Sequence, residues 1–260
     1  MKTGSQSPSI GVLTPEWPAP PNVRAAFTLR SGGASKPPYD TLNLGAHVGD
    51  EPEAVAQNRR LVNAALRLPA EPAWMEQLHG VEVLDLSLPM SATRAAGSPG
   101  ADAGFTRRGG EVCVVQVADC LPVLLSARDG SVVAAAHAGW RGLAAGVLEA
   151  TVHRLAIDPR MLIAWLGPAI GPAHFEVGDE VRRAFLAHDA AASAAFVANT
   201  RGRWQCDLPA LARARLAALG VAAVFGGSWC TYADPSRFFS YRRDGRCGRM
   251  AALIWQEAQP

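Results

Sequence analysis

Between Glu111 and Gly167 the chain carries four short runs in which apolar residues follow one another with almost no alternation: E-V-C-V-V-Q-V (111 to 117), P-V-L-L-S (122 to 126), S-V-V-A-A-A-H (131 to 137) and L-I-A-W-L-G (162 to 167). Continuous apolar character over so short a run, rich in branched residues and bounded by turn formers, marks strands covered on both faces. Such strands have no solvent side, so the rest of the chain must supply a layer on each face. V-R-A-A-F-T-L (23 to 29), P-A-W-M-E-Q-L (72 to 78) and V-A-A-V-F-G (221 to 226) have the same character. Helices are expected to start near Glu53, Leu143, Val177 and Leu208, the last with Asp207 as N-cap and Gly220 just past its end. The elements alternate irregularly, without a βαβ rhythm or internal repeat, which points to an α+β layered sandwich.

Asp129-Gly130, a favoured two-residue turn, joins the second and third runs into a hairpin in which Arg128 pairs with Ser131. In that register Cys120 falls opposite Gly139 and diagonal to His137 on the same face, where residues two steps apart lie roughly 7–8 Å apart at Cα. A thiolate and an imidazole so placed can share a metal. His79, in M-E-Q-L-H-G-V, is the best candidate for a second imidazole, making a Cys and two His, an open zinc site of the catalytic kind. By residue type alone, a cysteine ending an apolar strand reads as a buried small hydrophobe. His79 reads equally well as a hydrogen-bonded histidine beside a glycine turn. The poor strand formers around the pair, Asp119, Pro122 and Gly-Trp-Arg-Gly after His137, favour a sheet that ends at a site.

With 260 residues, 49% of them apolar, the chain can fill one large core, so a single domain over 21–260 is expected after a flexible segment, 1–20. The net charge of +2, with no lysine-rich run, gives no reason to propose nucleic acid or a membrane surface as partner. Five cysteines, at 113, 120, 206, 230 and 247, form no C-x-x-C pair, which argues against a disulfide framework. With no signal-like or membrane-length apolar stretch, the expected location is the cytoplasm, as a monomer or homodimer.

F-T-L-R-S-G-G-A-S (27 to 35), T-L-N-L-G-A-H-V-G-D (41 to 50), Q-N-R-R-L (57 to 61), Q-L-H-G (77 to 80), A-D-A-G-F-T (101 to 106), A-D-C-L-P-V (118 to 123), H-A-G-W-R-G (137 to 142), L-G-P-A-I-G (166 to 171) and F-F-S-Y-R-R-D-G (238 to 245) together resemble the YfiH/YlmD family. The likeness runs from about residue 22 to the C-terminus. It departs from the family pattern at Leu29, where Thr is more usual, and at Cys247, where D-G-x-T-G-R has Thr. The resemblance implies a four-layer α/β/β/α sandwich with mixed β-sheets and metal ligands at His79, Cys120 and His137. The family carries three labels: laccase-like polyphenol oxidase, peptidoglycan editing factor, and zinc-dependent purine nucleoside phosphorylase with adenosine deaminase side activity.

G-W-R-G opens an expected helix near the metal, whose N-terminus together with Arg141 would suit an anion. Arg59 is a second phosphate candidate, preferred over Arg60 on the family pattern. Asn43 and Gln77, in the T-L-N-L-G and Q-L-H-G blocks, are further candidates for substrate or phosphate contact, and Asp119 for a proton shuttle or an acceptor behind the metal ligands. Three classes follow. A zinc enzyme would cleave adenosine, inosine, guanosine or 5′-methylthioadenosine with phosphate and deaminate adenosine. A copper-dependent polyphenol oxidase would need more imidazoles than six histidines provide once three are used, although Cu2+ can substitute in a zinc site. A metal-free cysteine hydrolase or amidase acting in peptidoglycan editing would use Cys120 with His137 as base, and would need a carboxylate or amide to orient that base.

Overall fold

The computed structural model describes residues 9–88 and 100–258. A six-stranded mixed sheet runs in the order β12 (Ala223–Gly226), β8 (Leu162–Leu166), β6 (Leu121–Ala127), β7 (Val133–Ala138), β4 (Ala103–Thr106), β3 (Val83–Asp85). Its outer pairs, β12 with β8 and β3 with β4, are parallel, and the inner ones antiparallel. A four-stranded antiparallel sheet runs β1 (Val12–Leu13), β2 (Val23–Thr28), β13 (Met250–Gln256), β5 (Val112–Val117). A small third sheet joins β10 (Phe196–Ala198), β11 (Trp204–Cys206) and β9 (Glu176–Val177).

Strand alternation sorts the side chains into three cores. Cys113, Val115 and Val117 of β5 meet Leu124, Val133 and Ala135 between the two large sheets, with Met250, Ala252 and Ile254 of β13. The opposite faces of β5 and β13, Val112, Val114, Ala251, Leu253 and Trp255, pack with Val62 of helix α1 (Pro52–Leu66). Val123, Leu125, Ala134 and Ala136 pack outward against α3 (Val147–Leu155), α4 (Asp179–Leu186) and α5 (Leu208–Ala218). The layers are therefore α/β/β/α, as expected, and β5, β6, β7 and β8 are buried along their whole length. Each fully buried Leu or Val on these faces stabilises the fold by about 1.5–3 kcal/mol relative to exposure.

The hairpin register is the expected one, with Leu121 opposite Ala138 and Pro122 opposite His137. Its turn is wider than two residues. Ala127 and Val132 close the ladder, Arg128 N donates to Met161 O instead of pairing with Ser131, and Ser131 N is taken by the Asp129 side chain. P-A-W-M-E-Q-L is not a strand; it has only an isolated bridge from Glu76 to Gly100, because the Gln77 side-chain amide, not the backbone, pairs with Gln116 of β5. The helix after His137 breaks at Gly146, φ +103°, into α2 (Trp140–Ala145) and α3. The helix expected near Val177 starts at Asp179, and α5 has the expected cap, Asp207 accepting from Ala210 N. The segment expected to be loose before residue 21 joins the fold sooner: Val12–Leu13 pair with β2, and Leu13, Trp17 and Ala19 pack on the inner core. Residues 1–8 lie outside the described residues. Among the described residues no helix is long and apolar enough to cross a membrane.

Candidate metal centre

His137 is the penultimate residue of β7 and Cys120 directly precedes β6, so the hairpin delivers both to one end of the six-stranded sheet. His79 reaches them from the loop before β3. The ligating atoms of His79, Cys120 and His137 all lie within 4.8 Å of one another. Cys120 Sγ is 3.8 Å from His79 Nε2, and the two imidazoles meet edge to face with centroids 4.8 Å apart. A tetrahedral zinc with sulfur at ~2.3 Å and nitrogen at ~2.0–2.1 Å separates S and N by about 3.6 Å. The space among the three is kept open by Gly139: a Cβ there would come within 2.9 Å of Cys120 Sγ and 3.0 Å of His79 Cδ2. A thiolate and two imidazoles at this spacing fit zinc, and fit copper as a competitor.

Asp102, which no local signal in A-D-A-G-F-T singles out, holds the arrangement together. Its carboxylate is almost fully buried. Oδ1 accepts from His137 Nδ1 at 2.8 Å and from His79 N at 2.9 Å, while Oδ2 accepts from Leu78 N at 3.1 Å and Gly80 N at 2.6 Å. Burial pushes this carboxyl up, but the His137 and backbone hydrogen bonds outweigh it, and it stays below the ordinary carboxylate range. Three successive N–H groups on one carboxylate also hold His79 at φ +60°, a left-handed conformation uncommon for histidine. Burial raises the Cys120 thiol, yet the His137 charge and hydrogen bonds from His137 and His79 bring it down to about 6. Burial lowers His137, and the Cys120 thiolate and Asp102 reverse that, to about 9. Without metal the pair is therefore a thiolate and an imidazolium.

The three ligands open onto a cavity of about 530 Å³, within the range of small-molecule sites. Its walls bring together Trp140, Phe175 and Tyr241, the guanidinium groups of Arg141, Arg242 and Arg249, and His47. Burial and the cations Arg249 and Arg59 keep His47 below the usual imidazole range. Gln77 is at the wall with both amide atoms engaged by the Gln116 backbone. Gln116 is also at this wall, and its side-chain Oε1 is buried with no hydrogen-bond partner among the described residues. Asp119, φ +89°, turns its carboxylate away from the metal ligands, accepting from Thr231 Oγ1 at 2.6 Å and Arg242 N at 2.7 Å.

Two sequence candidates stand apart from this cavity. Arg59 stacks on Trp74 and donates from Nε and Nη2 to Leu44 O; it lines a separate shallow cleft with Arg60 and Glu71. Asn43 is fully buried, with its amide used by Gly45, Asp50 and Arg249 N. The helix opening at Trp140 is only six residues long, so its dipole is a weaker anion attractor than the uninterrupted helix expected from sequence. Arg242 lies in the F-F-S-Y-R-R-D-G block and Arg249 at the end of the D-G-x-T-G-R pattern, and nothing local marks either as facing a site over a hundred residues earlier in the chain. Cys247 is buried, with Arg249 Nη1 3.7 Å from its sulfur.

A family model described as multi-copper polyphenol oxidoreductase laccase matches residues 24–257. Over 244 residues the chain is 53% identical to the purine nucleoside phosphorylase YfiH of Escherichia coli (strain K12), covering 94% of this chain and 98% of that protein. It is 54% identical to a purine nucleoside phosphorylase of Pseudomonas aeruginosa, covering 94% and 97%. Among solved structures, a Neisseria meningitidis protein of family DUF152 superposes with a TM-score of 0.89 at 47% identity, covering 95% of this chain and 100% of that one. YlmD from Geobacillus stearothermophilus superposes with a TM-score of 0.82 at 31% identity, covering 91% and 93%. Sequence, fold and the His-Cys-His group agree: the chain belongs to the multi-copper polyphenol oxidoreductase laccase family, the family of YfiH and YlmD.

Proposed function

We propose that this protein is a zinc-dependent purine nucleoside phosphorylase that also deaminates adenosine. The observation that carries the reading is the placement of the His79, Cys120 and His137 group at one wall of a cavity that also presents three guanidinium groups and three aromatic faces. The names of the relatives support the phosphorylase part of this reading. His79, Cys120 and His137 would hold the zinc, which when bound supplies Lewis acidity at a coordination position left for water or substrate.

Arg141, with Arg242 and Arg249, binds inorganic phosphate by charge-assisted hydrogen bonds and steers it toward C1′ of the ribose. A phosphate oxygen forms the new bond to C1′ as the bond to the purine nitrogen breaks. The aromatic walls take the base. Asp119 acts as a positioning residue: its carboxylate fixes Arg242 N and the Thr231 hydroxyl. Zinc is favoured over a multicopper oxidase because the described residues contain a single group of three or more metal-type ligands. Incubating metal-quantified protein with each nucleoside, with and without phosphate, tests the reading. Phosphate-dependent release of base and ribose 1-phosphate is expected, and phosphate-independent release of free ribose would remove it.

One observation favours a second reading. The carboxylate that a cysteine hydrolase needs behind its histidine is present as Asp102, so Cys120, His137 and Asp102 form a nucleophile, base and orienting group. The same carboxylate–histidine contact equally serves a metal ligand. Covalent trapping of Cys120 by a thiol-directed amide probe in protein that retains stoichiometric zinc would favour the hydrolase.

A further inference from the structure

Away from the metal centre the fold builds a second thiol–imidazole pair. Cys230 Sγ lies 3.6 Å from His174 Nδ1 and accepts a hydrogen bond from Gly171 N at 3.2 Å. The imidazole is held in place by stacking on Tyr232, with centroids 4.5 Å apart and planes 20° from parallel. Gly171 permits the approach: a Cβ there would sit 3.2 Å from both Cβ and Sγ of Cys230. The pair faces its own cavity of about 460 Å³, shared with Asp207, Arg213 and Trp229, the last 38% exposed.

The other four thiols are accounted for. Cys113, Cys206 and Cys247 are buried, and burial pushes each of them up, Cys206 to about 12. Cys120 belongs to the metal group. Outside the metal group, Cys230 is the cysteine that combines partial exposure, an adjacent imidazole and room for an incoming group.

We propose that Cys230 is a modification site that forms a mixed disulfide with small disulfides carrying carboxylates, with His174 as the base. His174 Nδ1 takes the thiol proton while Gly171 N–H holds the charged sulfur. The Cys230 sulfur attacks one sulfur of the incoming disulfide, the S–S bond breaks, and the departing thiolate takes the proton from His174. Cys230 is oxidised to the mixed disulfide, and one half of the incoming molecule is reduced to its thiol. The Arg213 guanidinium, held by Nη1 and Nη2 bonds to Val224 O and Gly226 O, lines the cavity with Asp207, and its charge attracts the carboxylate of the partner.

The site is wired to the metal centre through backbone. Ala169 and Cys230 bridge, Thr231 N donates to Ala169 O, Thr231 Oγ1 donates to Asp119, and Ile170 N donates to Asp119 O. Asp119 directly precedes the ligand Cys120. A group attached to Cys230 removes the Gly171 N–H contact and displaces this segment, so the adduct slows the reaction at the metal centre. That coupling rests on the function proposed above; the modification itself does not.

The test exposes metal-quantified full-length protein to glutathione disulfide and maps adducts by intact mass and peptide mass spectrometry. One glutathionyl group on Cys230, removed by dithiothreitol, is expected, and His174→Ala should slow its formation at least about tenfold, as loss of the adjacent base requires. Metal occupancy decides only whether Cys120 reacts as well. An unmodified Cys230 under conditions where a cysteine peptide reacts, or a His174→Ala rate equal to that of the unaltered protein, overturns the proposal. Phosphorolysis should fall several-fold in the adduct and return on reduction. Full activity of the Cys230 adduct overturns the coupling.

Discussion

His137 Nδ1 lies 2.8 Å from Asp102 Oδ1, and the same oxygen accepts from His79 N. One carboxylate thus orients one candidate metal ligand through its ring and the other through its backbone. With Nδ1 bound to Asp102, the His137 proton is placed there and Nε2 is left available as a ligand atom beside Cys120.

Replacing Asp102 with Asn should weaken metal affinity by about 10–100-fold, the usual effect of removing a carboxylate behind a ligand histidine. Chelator competition measures the affinity, and the visible spectrum of the cobalt-substituted protein should shift because His137 is reoriented. An unchanged affinity and spectrum would leave Asp102 with no role at the metal.

Gly139→Ala is the sharpest steric probe. Its φ of −59° suits alanine, so the backbone accepts the change, but the new methyl lands 2.9 Å from Cys120 Sγ. Metal binding should be lost while the metal-free melting temperature moves little. Stoichiometric zinc in this variant would mean that the metal does not sit among the three residues.

Cys120→Ala should abolish zinc binding and activity together, since two imidazoles alone make an incomplete site. Retention of both in the variant would rule out the ligand assignment.

A proton count follows from the shifted pair. The Cys120 thiol at about 6 is ionised above that pH, whereas His137 at about 9 is still protonated below that pH. Between those limits the thiolate is ready to bind metal and His137 must first give up a proton. Zinc binding near pH 7.5 should therefore release about one proton, read by calorimetry in buffers of different ionisation enthalpy. In the metal-free protein, alkylation of Cys120 should rise with pH through about 6 and then level off.

The arginines separate by location. Arg249→Ala or Arg141→Ala should raise the KM for phosphate about tenfold or more and spare deamination of adenosine, as a charge-assisted contact to phosphate is lost. Arg59→Ala should instead cost about 1–3 kcal/mol of stability, because it strips the donors from Leu44 O and the cation from Trp74, with little effect on phosphate. A phosphate defect in a stably folded Arg59→Ala protein would put that residue back at the site.

The hairpin shows what sequence can decide unaided. Periodicity and the Asp129-Gly130 turn are local signals, and because side chains alternate with period two, one register places Cys120 and His137 at the same end of the sheet. The doubly buried strands also announced their covering layers, since unbroken apolar runs cannot face water. The turn itself is wider by one residue on each side than the Asp-Gly signal implies, because Met161, from the neighbouring strand's approach, competes for Arg128 N. Loop placement was beyond local reading. Gln77 substitutes a side-chain amide for strand pairing, Asp102 gathers three backbone N–H groups of the His79 loop, and Asp119 reaches Thr231 and Arg242 more than a hundred residues away. β13 is the centre of a sheet because β2 and β5 both lie alongside it to pair with it. The chain's local pattern determines which residues can be strands and which pair shares a ladder. Only tertiary packing decides which carboxylate stands behind His137 and which arginines line the cavity beside it, because those contacts join segments whose proximity no local propensity encodes.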